Sequence, residues 1–291
     1  MAKTVIVWGH KLFSHTHSYV HEGFVRAFRF LGYEVHWVDN DDDVSGLDLK
    51  GALFLTEGQV DGRLPIRRDC KYVLHNCDLA RYAPVLGSCL QIQVYCQTTA
   101  RSRMFDRVGP ASYYSDGVLY QPWATDLLPH EICLDWAGRA REPASHWIGT
   151  IGDGRFGNVH ELEGFQQACQ EHRVAFVHRA SVSRETHIAL IQRSCLAPAI
   201  TGTWQLAEGY VPCRIFKNIS YGQLGLTNSA AVNDMFDGRL VVNPDTRQLF
   251  VDGEEALHAP GAVARVRDLM RTVRDTHTFV DRIAAILKVL P

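Results

Sequence analysis

The chain has 291 residues, 46% apolar and 21% charged, which excludes extensive disorder and sets an expectation of about two domains. Thirty Lys and Arg against thirty-two Asp and Glu leave a formal charge of −2, which argues against a dedicated polyanion binder but leaves room for a local basic cleft, and no nucleic-acid partner is expected. No apolar run approaches the ~20 residues of a membrane span, and the opening Met1–Trp8 lacks the apolar core of a signal peptide. The expectation is a soluble, cytoplasmic protein. Cysteines at 70, 77, 89, 96, 133, 169, 195 and 213 form no CxxC pair, which argues for reduced thiols and against a zinc site.

Thr4–Trp8 is a β-branched run ending at Gly9, and predicts a first strand. A helix capped by Ser18 follows, with Val20, Phe24, Phe28 and Leu31 at helical spacing and Gly32 at its end. Tyr33–Val38, Ala52–Thr56, Lys71–His75 and Gln91–Cys96 are further strands, so the first part reads as a parallel, Rossmann-like sheet. The pattern breaks at Leu119–Trp123 and through a polar, Pro-containing stretch. It restarts with strand His146–Ile151, a helix marked by Leu162, Phe165 and Cys169, strand Val174–His178, a helix marked by Ile188, Ile191 and Cys195, and strand Leu196–Ile200 with an internal Pro198. A helix opened by Pro212 and closed by Gly222, strands Leu224–Thr227 and Leu240–Val242, and two terminal helices complete the chain. The expected organisation is an N-terminal domain over 1–125, a linker over 126–145 and a C-terminal domain over 146–291. These are two Rossmann-like α/β domains facing a central cleft, because open parallel sheets bind ligands beyond their strand C-termini.

Chemistry concentrates in a few places. The Pro212–Gly222 helix carries Arg214 and Lys217 near an N-terminus whose bare N–H groups and dipole suit a phosphate; the bland alternative is a surface helix with two solvated cations. Gly149, Gly152, Gly154 and Gly157 follow a strand and leave room for a ligand. They do not match the dinucleotide fingerprint in context, and His178-Arg179 stands where an acidic residue should close the next strand, which disfavours a nicotinamide cofactor. His10, His15, His17 and His21 cluster after the first strand with no acidic or Cys companion nearby in sequence, so a metal is disfavoured against an acceptor-facing role. His75-Asn76-Cys77-Asp78 also follows a strand, with Cys77 read as structural, and Asp41–Asp43 read as a solvated acidic loop.

Several stretches together carry a resemblance. The run Gly9-His10-Lys11 through His15-Thr16-His17-Ser18 to Glu22 is similar to the first loop and helix of small two-Rossmann (GT-B) glycosyltransferases. Tyr120–Asp126, Trp147–Gly152 and above all Glu208–Gly222 resemble the interdomain, first-strand and nucleotide-sugar segments of spore-maturation-type glycosyltransferase-like proteins. The resemblance implies a GT-B enzyme that moves a hexosyl or deoxyhexosyl group from a UDP- or GDP-sugar to a hydroxyl of a glycan or other acceptor. It implies no cofactor and no required metal, and peripheral membrane association if the acceptor is lipid-linked.

On this reading Gly149, Gly152, Glu208, Arg214, Ile215 and Lys217 hold the nucleotide sugar, with Arg214 and Lys217 stabilising the departing diphosphate and Glu208 on the ribose. His15, His17 and Glu22 are the candidate general bases if the reaction inverts. The chain departs from the family in its short length and in lacking a second glutamate eight residues from Glu208. Three alternatives stay open: a nucleotide-sugar 2-epimerase, a noncatalytic sugar-nucleotide-binding protein, and a metal-dependent transferase using Asp41–Asp43.

Overall fold

The computed structural model describes residues 4–11, 17–95, 100, 103 and 105–291. Two compact units form: the first from Met1–Val94, Thr99–Leu128 and Thr278–Pro291, the second from Tyr95–Thr98 and Pro129–His277. The last helix thus counts with the first unit.

In the first unit, β1 (Thr4–Trp8) leads through α1 (Ser18–Phe30) to β2 (Glu34–Val38), and β3 (Leu53–Glu57), β4 (Lys71–His75) and β5 (Cys89–Gln93) follow. They join one sheet with β6 (Asp106–Gly109), β7 (Ser112–Ser115) and β8 (Val118–Tyr120), in the order β2-β1-β3-β4-β5-β8-β7-β6. All pairings are parallel except those of the β6–β7–β8 meander. Alternation along β1 sends Ile6 and Trp8 to one face, where they pack with Phe54, Tyr72, Leu74 and Tyr82, and Val5 and Val7 to the other. β5 begins two residues before the expected Gln91, and the end of that predicted strand, Cys96, lies outside the described residues. The meander escaped sequence reading because Asp106 and Arg107 are exposed and its strands are only three or four residues long. Leu119–Tyr120, read as part of a break, is instead the strand that continues the parallel sheet beside β5.

The second unit has two parallel ladders. One pairs β9 (Ala144–Ile148) with β10 (Ala175–Arg179), and the other pairs β11 (Leu226–Thr227) with β12 (Val241–Val242). Between them runs the extended segment 194–200: the Cys195 N–H donates to Ala144 O and the Ala199 N–H to Leu226 O. Pro198 has no N–H to give, and within the predicted strand Leu196–Ile200 the bridge is an isolated one from Ala199 to Thr227, with another at Ser194 just before it. The helices are α2 (Val159–Glu171), α3 (Arg184–Arg193), α4 (Thr203–Ala207), α5 (Cys213–Ser220), α6 (Ala230–Met235), α7 (Thr246–His258) and α8 (Ala262–Thr276). The sequence reading passed over α7, whose apolar pattern is interrupted by Gly253. That glycine is buried against Leu226 and Leu196, where a Cβ would lie 2.5 Å from Leu226 Cδ2.

The terminal helix α9 (Phe279–Val289) returns to α1, with the Phe279 and Phe24 rings 4.7 Å apart. Gly23 makes this approach work, since a Cβ there would sit 2.2 Å from the Phe279 ring. Gly23→Ala gains ~1 kcal/mol of helix propensity and meets ~1–3 kcal/mol of overpacking. We therefore expect it to lower the urea midpoint of the wild-type chain and to raise it in a Phe279→Ala background. Equal effects in both backgrounds would show that the two residues do not meet.

Candidate functional site: a histidine-lined pocket and a cationic helix

The strand order β2-β1-β3-β4-β5 reverses direction between β1 and β3, and ligands of such sheets settle beyond the strand C-termini at that reversal. In the first unit this place is filled with titratable groups. Gly9 turns the chain out of β1 at φ +89° and His10 follows at +53°, both in the left-handed region. A Cβ at Gly9 would lie 2.1 Å from Val60, so no other residue fits the turn. The turn is pinned at its carbonyl: Gly9 O accepts from His21 Nδ1 at 2.8 Å and from Trp37 Nε1 at 2.9 Å.

So held, His10 meets Glu57, the last residue of β3, with Nε2 to Oε2 at 3.0 Å and side-chain exposures of 4% and 2%. The Gln59 N–H donates to the same oxygen at 3.0 Å. Burial alone would raise the Glu57 pKa, but the hydrogen bonds from His10 and Gln59 and the nearby His17 and His10 outweigh it and hold the carboxyl below its ordinary value. A carboxylate only accepts, so His10 carries its hydrogen on Nε2, and the lone pair of the neutral ring sits on Nδ1. His75 ends β4, donating from Nδ1 to Ile92 O at 3.2 Å while the Asn76 amide donates to its Nε2 at 3.1 Å. Asn76 is itself left-handed at φ +52°.

His17, half-buried at the start of α1, stacks on His10 at 5.5 Å and lies 5.5 Å from His75. Trp123 closes the cluster, its ring nearly perpendicular to His75 with centroids 4.9 Å apart. His17, His21, Glu57, His75 and Trp123 line a cavity of about 10 Å³ with apolar residues of α1, β3, β4 and β5, room for about one water.

The outcome for the expected bases is therefore divided. His17 reaches the pocket. His15 lies outside the described residues. Glu22 sits on α1, half-buried, and is not among the residues that line the pocket. Glu57 went unnamed because its companion His10 is 47 positions away, and only strand pairing brings them together. The available signal was a polar residue closing the apolar run Leu53-Phe54-Leu55. Among the described residues no group of three or more His, Cys, Asp or Glu is arranged to hold a metal ion. Asp41 pairs with Arg63, Asp42 with Lys11, and Asp43 accepts from the Ser45 N–H, so the three carboxylates serve separate partners.

In the second unit the Arg214 helix is no solvated surface helix: Ile215 through Ser220 are all buried, Lys217 at 5% exposure and Ile215 at 1%. Pro212 is the residue just before the helix, one position earlier than expected, and Arg214 stands in the first turn. Its guanidinium lies 3.6 Å over the Trp147 ring and donates to Ile148 O at 3.0 Å. The end of β9 makes room for it: Gly149, at φ +118°, would place a Cβ 2.9 Å from Arg214 Nη2. Burial lowers the Arg214 pKa to about 10, so it remains a cation at neutral pH. The Gly152 carbonyl accepts the Asn158 and Val159 N–H groups and so ties the glycine loop to the start of α2. Glu208 is half-buried where α4 ends, its N–H donating to Trp204 O. The structure thus brings Gly149 and Arg214 into contact and assigns Ile215 to the core.

These units define a class: mixed α/β, with a switch-point site at the strand ends of one sheet and a cation at a helix N-terminus over a strand end of the other. The sequence matches no protein-family model and no curated protein. Solved structures do match over the full length. An alpha-glucosyltransferase in complex with UDP and a 13-mer DNA superposes with a TM-score of 0.61 at 8% identity, covering 99% of this chain and 100% of that one. AviGT4, a glycosyltransferase involved in avilamycin A biosynthesis, gives 0.57 at 10% identity, covering 98% and 96%. A glycosyltransferase from Rickettsia africae gives 0.53 at 9%, covering 99% and 96%. The fold is the one these glycosyltransferases share, as the sequence resemblance implied. Among the described residues no helix is long and apolar enough to cross a membrane.

The pocket carries a pH signature. His21 is fully buried and donates to Gly9 O; burial, opposed by that hydrogen bond, brings its pKa from 6.5 to about 4. The folded state thus binds this proton more weakly than the unfolded chain, so the stabilisation is complete above about pH 6.5 and is lost as pH falls toward 4, a span of roughly 3 kcal/mol. His75, lowered chiefly by burial, acts in the same direction. Urea midpoints measured from pH 7.5 to 4.5 should fall steeply in the wild type and less steeply in His21→Phe.

Proposed function

We propose that the protein transfers a glycosyl group from a nucleoside-diphosphate sugar to an acceptor hydroxyl. The observation that carries this reading is Arg214, a cation in the first turn of an eight-residue helix at a strand end, in a fold shared over its whole length with UDP-bound glucosyltransferase structures. As the anomeric C–O bond breaks, its electron pair goes to the diphosphate. Arg214 and the free N–H groups of α5 supply positive charge where that negative charge grows. Lys217 adds charge on the same helix, Gly149 and Gly152 let the donor approach the backbone, and Glu208 accepts from the ribose hydroxyls.

The acceptor side falls to the histidine pocket. In an inverting transfer, the acceptor oxygen bonds the anomeric carbon and its proton passes to a neighbouring base. His10 is suited to this: Glu57 orients its ring through Nε2 and stabilises the imidazolium that forms. His17 stands beside it as the second candidate, and His15 and Glu22 remain further candidates from the sequence. The charge stabilisers are protein cations, so the reaction needs no divalent metal and no cofactor. The acceptor is a glycan or another hydroxyl-bearing molecule met in the cytoplasm, at a membrane surface if it is lipid-linked; the DNA belongs to the glucosyltransferase complex.

A panel of UDP- and GDP-sugars tests the reading by thermal shift, since a ligand at 100 Kd adds ~2.7 kcal/mol to the folded state. No shift with any of them would sink it. Arg214→Ala should weaken UDP binding at least about tenfold by calorimetry and lower turnover ~10²-fold, with far-UV circular dichroism unchanged. Its stacking on Trp147 adds a stability loss of about 1 kcal/mol. Glu57→Gln, which keeps the shape and removes the charge, should lower turnover ~10²-fold with donor affinity retained. Turnover should survive EDTA; a complete loss restored by Mg²⁺ or Mn²⁺ would return the reaction to a metal mechanism.

A further inference from the structure

One fully buried cation belongs to neither site. Arg282, on α9, is 0% exposed, with Nε donating to Pro122 O at 2.8 Å and Nη2 to Trp123 O at 3.4 Å. We infer that Arg282 is a positioning residue: its guanidinium fixes the Pro122–Trp123 backbone and thereby sets the Trp123 ring against the imidazoles of the pocket. A guanidinium is a rigid planar fork, so two donors on it hold two successive carbonyls at a fixed separation. The neighbouring Asp281 carboxylate offsets part of the desolvation of the guanidinium. A Met or Leu would fill the same volume but would lack the two donors that hold these carbonyls.

What that geometry controls is visible in the ring contacts. Trp123 is 5% exposed and its ring stands nearly perpendicular to those of His75 (centroids 4.9 Å apart, 81°), His17 (6.4 Å, 88°) and Phe24 (6.1 Å, 90°). Two of these partners are pocket imidazoles; the third lies against Phe279 of the helix that carries Arg282. Around Arg282 the helix is fixed twice more. Thr278 and Asp281 form a capping box at its start, and Thr278 bridges to Thr125 two residues beyond Trp123. A shift of the 122–123 backbone therefore moves an aromatic wall of the pocket and leaves Glu57 and His10, which hang from β3 and β1, in place.

The activity arm of the test rests on the glycosyl-transfer reading; the spectroscopic arm does not. In the full chain, Arg282→Met and Arg282→Lys are compared with the wild type by the NMR signals of the Trp123 indole N–H and the His75 ring, assigned with Trp123→Phe and His75→Gln. UDP release from UDP-glucose gives kcat and KM, and calorimetry gives UDP affinity. Both resonances should move in Arg282→Met, kcat should fall about tenfold with KM and UDP affinity within twofold, and Arg282→Lys should recover part of the loss. Trp123→Phe should lose a similar factor, and the double variant should lose no more than either alone. Unmoved Trp123 and His75 signals in a folded Arg282 variant, or losses that multiply in the double variant, overturn the inference. If Arg282→Met does not fold, Arg282→Lys carries the same cycle. If the wild type releases no UDP from any nucleotide sugar, the transfer reading fails while the two resonances still decide the role of Arg282.

Discussion

A carboxylate at 2% exposure, held between an imidazole and a backbone N–H, is expensive to bury. Much of the first unit is arranged to keep it there. β3 delivers Glu57 at its end, β1 delivers His10 through a left-handed two-residue turn, and the carbonyl of that turn is fastened by His21 and Trp37 from two further elements. The parallel pairing of β1 with β3 sets the distance between them. Each part is ordinary alone; the strained backbone at Gly9 and His10 persists because its surroundings over-determine it, a pattern typical of working sites.

The second unit solves a different electrostatic problem. A cation in the first turn of a helix opposes the dipole, a local cost of ~0.3–1 kcal/mol. Arg214 meets part of that cost by lying on an indole face and by donating to the last carbonyl of β9. An anionic ligand at the same place would reverse the sign of the dipole contribution. The first unit buries a negative group among imidazoles, whereas the second sets a positive charge in the first turn of a helix.

Much of this was legible in the sequence, because parallel strands buried on both faces write themselves as apolar runs, and β1, β4 and α1 read directly from theirs. The edge of the sheet did not, since β6 carries exposed Asp106 and Arg107 and leaves no periodic trace. For the same reason α7 was passed over at Gly253, a residue selected for close packing and not for helix propensity. The Arg214 helix was found because proline, glycine and two cations mark it locally. The His10–Glu57 pair was missed because its two halves lie far apart in the chain, and single-sequence spacing carries no information about strand order.

That the final helix completes the first unit has a consequence for biosynthesis. Arg282 lies 160 positions beyond Pro122, its acceptor, and the whole of 129–277 is made between them. Strands β1 to β5 leave the ribosome early, yet the backbone beside Trp123 stays unclamped and the Gly23 face of α1 stays open until α9 has emerged. Such long-range closure is slow and leaves apolar surface exposed in the meantime. Arrested or truncated chains that stop short of Thr278 lack the clamp on this wall of the histidine pocket, so its assembly waits for α9 to be made.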